Sequence, residues 1–226
     1  MRKILLGLLI LLFIFTPTAN STSHLDGRII ILDPGHGGSD PGSTSCQGLT
    51  EADANLEIAL LLKTKLEQSG ADVRMTRETD ETLSNKDRYD FANNNNGEIL
   101  VSVHLNGSTN PDTNGTQGLY GKKNKDQKFT QVLHQRLASE LGVPDLGITN
   151  FASGVLLKSN MPATIQETVF ISNSDECAKL TNGTGVRQQE IADSLYNGIS
   201  DWFSQPPPSD GDSGGGPPPG KGKPQK

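Results

Sequence analysis

Apolar residues along this chain follow two alternating patterns, and together they predict a layered fold. Short runs rich in Ile, Leu and Val, or alternating between apolar and polar residues, predict strands at 28–33, 71–76, 98–103, 116–120, 154–157 and 163–170. Longer stretches with apolar residues three and four apart predict helices at 51–69, 84–95, 126–141 and 190–203. Because strands alternate with helices, we expect an α/β fold: a single domain with a twisted, mostly parallel sheet of about six strands flanked by helices.

The two ends of the chain differ from this central part. Residues 1–23 contain a charged start and an unbroken short apolar run, the pattern of a secretory signal peptide and short leader; an uncleaved membrane anchor is the alternative. Residues 24–204 are long enough for one core, and residues 205–226 are rich in Pro and Gly and predict a disordered tail. We therefore expect a protein that is secreted, periplasmic or associated with the cell wall.

Composition narrows the classes of partner. The formal net charge is −6, and no basic patch of the kind that binds nucleic acid is visible, so we expect no nucleic-acid partner. Only two cysteines are present, Cys46 and Cys177. In an oxidising compartment they could pair, but two unpaired thiols fit the sequence equally well.

Two histidines mark the candidate site. His36 and His104 each follow the end of an apolar strand, where open α/β sheets place their ligands. Glu51 lies between them in sequence, at the first position of a helix that Thr50 and Asp53 start as a capping box. Two imidazoles and one carboxylate form a three-ligand zinc set. The alternatives are a loop histidine at position 36 and simple helix capping by Glu51.

A fourth candidate lies inside the last predicted strand. Glu167 belongs to the segment 163–170, and a carboxylate within an inner strand is costly unless it is paired or lies near a metal. The functional interpretation is a general base that serves a metal-activated water. The alternative is an edge strand with Glu167 facing solvent.

Several short motifs occur in a fixed order and together resemble one enzyme family. These are Ile31–Gly38 (ILDPGHGG), Glu51–Asn55 (EADAN), Thr76–Arg77, Asp87–Arg88, Ala92–Asn93, Ser102–Asn106 (SVHLN), and the segment from Met161 to Asn173. The set resembles the zinc-dependent N-acetylmuramoyl-L-alanine amidases, the family of bacterial cell-division and cell-wall amidases, over nearly all of residues 28–203.

The resemblance implies a reaction and a role for each site residue. Members of the family cut the amide bond between N-acetylmuramic acid and the L-alanine of the peptidoglycan stem peptide. By position, His36, Glu51 and His104 would bind one Zn²⁺ per domain, and Glu167 would be the catalytic carboxylate. Asn106 would contact substrate. The motif residues Arg77, Asp87 and Arg88 are interpreted as scaffold, in surface salt bridges or helix support.

The chain also departs from the family pattern. Gln166 precedes Glu167, Thr168 and Val169 follow it, and Gly107-Ser108 replaces a more usual small apolar residue after Asn106. These changes put substrate preference in question more than activity. The link from residue 106 to 126 holds no long helical pattern, so we expect a site that no inhibitory helix covers.

Three functions fit the sequence. The leading one is a secreted zinc amidase acting on peptidoglycan, as a monomer, with a protein activator of unidentified kind left open. The second is a zinc exopeptidase on free peptides, which uses the same ligand types. The third is a non-catalytic peptidoglycan-binding protein.

Overall fold

The computed structural model describes residues 23–206 and 216–219. The strands are β1 Ile29–Pro34, β2 Asp72–Met75, β3 Ile99–Asn106, β4 Thr116–Tyr120, β5 Asp145–Asn150 and β6 Ala163–Phe170. The helices are α1 Glu51–Gln68, α2 Asn85–Asn94, α3 Lys123–Glu140, α4 Gly154–Lys158, α5 Ser174–Thr181 and α6 Val186–Ser204.

The six strands form one mixed sheet in the order β2-β1-β3-β6-β4-β5. Strands β1, β2, β3 and β6 pair in parallel, and so do β4 and β5. The single antiparallel pairing joins β4 to β6. The carboxyl ends of β1, β3 and β6 therefore meet at one edge of the sheet, and the beginning of β4 lies at that same edge.

Helices cover both faces of the sheet, because successive side chains of a strand point to opposite faces and apolar residues lie on both. The larger core lies between the sheet and α1, α3 and α6, where Trp202 packs on Phe129 with ring centroids 5.1 Å apart. Ile31 points to the opposite face of the sheet from Ile30 and Leu32. There it belongs to a smaller core, which includes Ala92 of α2 and Val155 of α4. The predicted α/β fold with about six strands is confirmed.

One local prediction was wrong, and two elements were missed. Residues 154–157, predicted as a strand, belong to the short helix α4, since an apolar run of this length does not distinguish the two. Strand β5 was missed because it is a short, mostly exposed edge strand whose only large apolar residues are Leu146 and Ile148. Helix α5 was missed although Asn173 caps it, accepting hydrogen bonds from the backbone N–H groups of Asp175 and Glu176.

The start of α1 also differs in detail from a capping box. The Thr50 hydroxyl accepts from the backbone N–H of Asp53, 3.1 Å away, as predicted. The Asp53 carboxylate instead accepts from the Thr50 hydroxyl at 2.6 Å, and not from the Thr50 backbone. Glu51 is thus the first residue of a helix whose start is fixed by its neighbours.

The chain ends lie mostly outside the described residues. This holds for the signal peptide predicted at 1–23, apart from its last residue, and for most of the tail predicted at 205–226. Within the described part of this tail, Pro217 is buried and the Pro218 carbonyl accepts a hydrogen bond from Arg28 at 2.7 Å. Within the described ranges, no helix is long and apolar enough to cross a membrane.

Candidate active site

The two histidines and Glu51 come together at the carboxyl edge of the sheet. His36 follows β1, His104 lies near the end of the neighbouring strand β3, and Glu51 opens α1. Glu51 Oε1 lies 3.1 Å from His36 Nε2 and 3.1 Å from His104 Nδ1. One ligand atom from each residue falls within 4.8 Å of the other two, so a single metal ion can touch all three. The structure therefore brings together the three residues that the sequence predicted as ligands.

The Glu51 carboxylate is buried and held from several sides. Its Oε2 accepts the backbone N–H of Ser43 at 2.9 Å, and its Oε1 accepts that of Leu105 at 3.3 Å. Burial alone would raise the pKa of Glu51, but hydrogen bonds from His104 and His36 hold it well below its usual range. Glu51 is thus kept ionised, as a metal ligand must be, which capping alone does not require.

Asp40 orients His36, and the sequence reasoning missed it. The Asp40 carboxylate lies 2.8 Å from His36 Nδ1, so Nε2 is the nitrogen left to face Glu51. The hydrogen bond to Glu51 is the largest cause of a rise in the pKa of His36 to about 9, and Asp40 adds to it. A carboxylate on the outer nitrogen of a ligating histidine fixes its ring and its tautomer. The only signal of this contact in the sequence is that Asp40 follows His36 by four residues in the same loop.

Glycine is required where the loop passes the ligands. A Cβ placed on Gly35 would lie 2.3 Å from the His104 ring, far inside van der Waals contact. Gly42 has a positive φ of 63°, and a Cβ there would lie 2.6 Å from Glu51 Oε2. The Gly-rich composition of this loop thus reflects the close approach of its backbone to the site.

Two buried arginines support the loop from below, which corrects the expectation of surface salt bridges. Arg77 donates to the carbonyls of Pro34, Gly35 and Ala52 at 2.8–3.0 Å. Arg88 donates to Asp33 at 2.7 Å and to the His36 carbonyl at 2.9 Å. Both are scaffold, as predicted, but they act on the backbone that carries His36.

The third motif residue interpreted as scaffold, Asp87, supports a helix as expected. It forms a capping box with Ser84 at the start of α2.

The two cysteines form a disulfide. Cys46, in the loop before α1, is bonded to Cys177 of α5, 131 residues further along the chain. This resolves the two alternatives that the sequence left open. The bond ties the loop that contacts Glu51 to the helix that follows β6.

Glu167 lies on an inner strand, within the same cleft as the ligands. Strand β6 is flanked by β3 and β4, and Glu167 is in register with His104 on one side and Gln117 on the other. His36, His104, Asn106, Gln117 and Glu167 all line this cleft. Burial raises the pKa of the Glu167 carboxyl, and His104 offsets only part of this effect. A carboxyl with a raised pKa is suited to accepting and returning a proton.

The departures beside Glu167 do not reach the cleft. Gln166 and Thr168 are buried, and by strand alternation they face away from the side that carries Glu167. Thr168 donates to the His104 carbonyl at 3.2 Å, and Val169 belongs to the larger core. These three residues therefore do not line the cleft, and their effect on substrate preference stays a prediction. Between β3 and β4 the chain forms a loop without a helix, as expected.

A family model described as N-acetylmuramoyl-L-alanine amidase matches residues 30–201 of the chain. The chain belongs to this amidase family. It is accordingly a hydrolase of peptidoglycan amide bonds. The matched range includes His36, Glu51, His104 and Glu167.

Relatives and solved structures agree with this assignment. The germination-specific N-acetylmuramoyl-L-alanine amidase of Bacillus subtilis is 32% identical, over 89% of this chain and 93% of its own. The catalytic domain of the amidase CwlV from Bacillus (Paenibacillus) polymyxa var. colistinus superposes with a TM-score of 0.73 at 30% identity, covering 78% of this chain and 98% of that one. CwlD of Clostridioides difficile, solved in complex with the GerS lipoprotein, gives a TM-score of 0.72 at 30% identity, covering 79% and 99%.

Proposed function

We propose that this amidase is a secreted, zinc-dependent enzyme that hydrolyses the bond between N-acetylmuramic acid and L-alanine. The observation that carries the proposal is the placement of His36, Glu51 and His104 within reach of one ion, with Glu167 in the same cleft. A binding module would need neither the convergent ligand atoms nor a carboxyl whose pKa is raised beside them.

The three side chains fit zinc. Two imidazole nitrogens and one carboxylate oxygen are a ligand set typical of hydrolytic zinc sites, which leave a further position open. Asp40 and the backbone N–H groups of Ser43 and Leu105 supply the outer hydrogen bonds that such ligands use for orientation. Zinc, when bound, supplies Lewis acidity that polarises a carbonyl and makes water more acidic.

Glu167 carries the proton in this scheme. Its carboxylate takes a proton from the attacking water and delivers it to the nitrogen of L-alanine as the C–N bond breaks. Asn106 lines the cleft next to it, and its side-chain oxygen accepts from the backbone N–H of Gly107 at 2.8 Å, which orients the amide. This leaves the Asn106 NH₂ group to donate to a substrate carbonyl.

Two features support secretion. The N-terminal apolar run has the length of a signal peptide, and the Cys46–Cys177 disulfide is of a kind that persists in oxidising compartments.

We further propose that the domain acts as a monomer, which size-exclusion chromatography with light scattering tests.

Bond identity in digested sacculi tests the function. Purified sacculi are treated with the mature protein or with Glu167→Gln, and the products are read by mass spectrometry. We expect peptide-free glycan and stem peptides with new L-alanine amino termini from the wild type alone. Simple peptides are incubated in parallel, and free amino acids released from them would instead indicate an exopeptidase. Binding to sacculi without any product would indicate a non-catalytic protein.

A further inference from the structure

A row of side chains crosses the sheet from the metal ligands to β4. His104 of β3 is in register with Glu167 of β6, and Glu167 is in register with Gln117 of β4. Residues in register share a face, and neighbouring strands are about 4.8 Å apart. Gln117 therefore lies one strand beyond Glu167 and about 10 Å from the His104 backbone, too far to be a metal ligand but within the same cleft.

Gln117 is the uncharged residue of this row, and its side chain can both donate and accept hydrogen bonds. It is partly exposed, lines the cleft, and has only a 3.3 Å contact from its Nε2 to Thr149 Oγ1 on the edge strand β5. Its carboxamide offers two donors and an acceptor in one plane. The complementary group in a substrate is a secondary amide, which offers one donor and one acceptor.

The stem peptide places such an amide at the right separation. If the scissile carbonyl lies at His36 and His104, the next peptide amide follows one residue later, about 3.5 Å further along an extended chain. That amide then lies between His104 and β4, roughly 6 Å from the Gln117 backbone, a gap that the Gln117 side chain and one hydrogen bond of about 2.9 Å together span.

We propose that Gln117 is a specificity-determining residue, which binds the amide joining L-alanine to the second residue of the stem peptide. The proposal rests on the proposed function, since it takes the scissile bond to lie at the two histidines. It assigns β4 and β5 to the peptide side of the cleft, so the enzyme distinguishes a stem of two or more residues from a muramoyl group that carries L-alanine alone.

Two matched compounds test this assignment. One is N-acetylmuramoyl-L-alanyl-D-isoglutamine, and the other is its ester analogue, in which oxygen replaces the N–H between the two residues. Both are measured as competitors of sacculus digestion by the zinc-loaded enzyme, so a ratio of inhibition constants is obtained whether or not they are cleaved. The variants are Gln117→Ala and Gln117→Leu, and the control is Gln131→Ala on the exposed side of α3, across the sheet from the cleft.

We expect the wild type and Gln131→Ala to prefer the amide over the ester by about tenfold, the scale of one hydrogen bond in a partly buried site. In both Gln117 variants the ratio should fall towards one, chiefly through weaker binding of the amide. An unchanged ratio in these variants, or no competition by either compound, overturns the assignment while sacculus digestion stands. A wild-type enzyme that leaves sacculi undigested refutes the proposed function instead.

Discussion

Removing the disulfide should destabilise the domain strongly, because the bond closes a long loop. Cys46 and Cys177 are separated by 131 residues, and the entropy that such a cross-link removes from the unfolded chain corresponds to about 5 kcal/mol at 25 °C. For a domain of this size, that loss lowers Tm by roughly 10–20 °C. The effect should extend to the site, since the loop holding Cys46 also supplies the Ser43 N–H to Glu51.

The assay compares the free energy of unfolding in urea for the oxidised wild type and for Cys46→Ala, Cys177→Ala and the double variant, all with chelator present. Either single substitution removes the whole bond, so each should lose nearly as much as the double variant. Zinc affinity of the folded variants is then measured by competition with a chelating dye, and we expect it to fall. A double variant within about 1 kcal/mol of the wild type would refute the chain-entropy argument.

Three further predictions follow from the site. Asp40→Asn should weaken zinc binding about 10–100-fold with the fold intact, as judged by dye competition and circular dichroism; unchanged affinity would remove Asp40 from the site. Gly35→Ala should displace His104 and abolish zinc binding, because the new Cβ would lie 2.3 Å from its ring; a variant that binds zinc normally would contradict this close approach. Burial raises the pKa of Asp33, but Arg88 and two hydroxyl donors bring it below 3.8. Its stabilisation is therefore present above about pH 4 and lost on further acidification. Asp33→Asn should cost about 3–5 kcal/mol at pH 7 and less at pH 3 in urea unfolding, and an equal cost at both would contradict the assignment.

Much of the fold and the core of the site followed from short-range pattern. Strands β4 and β6 were predicted at their observed bounds because their apolar positions alternate or run continuously between turns. His36 and His104 could be found because each ends such a strand, and parallel neighbours bring those ends together.

The remaining features depend on contacts between distant segments or on exposed ones. Strand β5 is short, mostly exposed and has only two large apolar residues, so its place is set by pairing with β4 rather than by its own pattern. The contact of Asp40 with His36 depends on a loop that folds back, and the position of Gln117 beside Glu167 depends on the register of two strands. A single sequence shows neither. The cysteine pairing likewise required the position of α5, a helix that periodicity did not reveal.

The most direct test of the account is a zinc titration of the metal-free wild type, with the initial rate of sacculus digestion as the readout. We predict no hydrolysis before zinc is added, a linear rise in rate, and a plateau at one equivalent of zinc per chain. The Glu167→Gln variant should bind the same one equivalent of zinc but digest sacculi about 10²–10⁴-fold more slowly. Full activity of the metal-free protein, or a plateau reached without His36 and His104, would contradict a metal-dependent amidase centred on these residues.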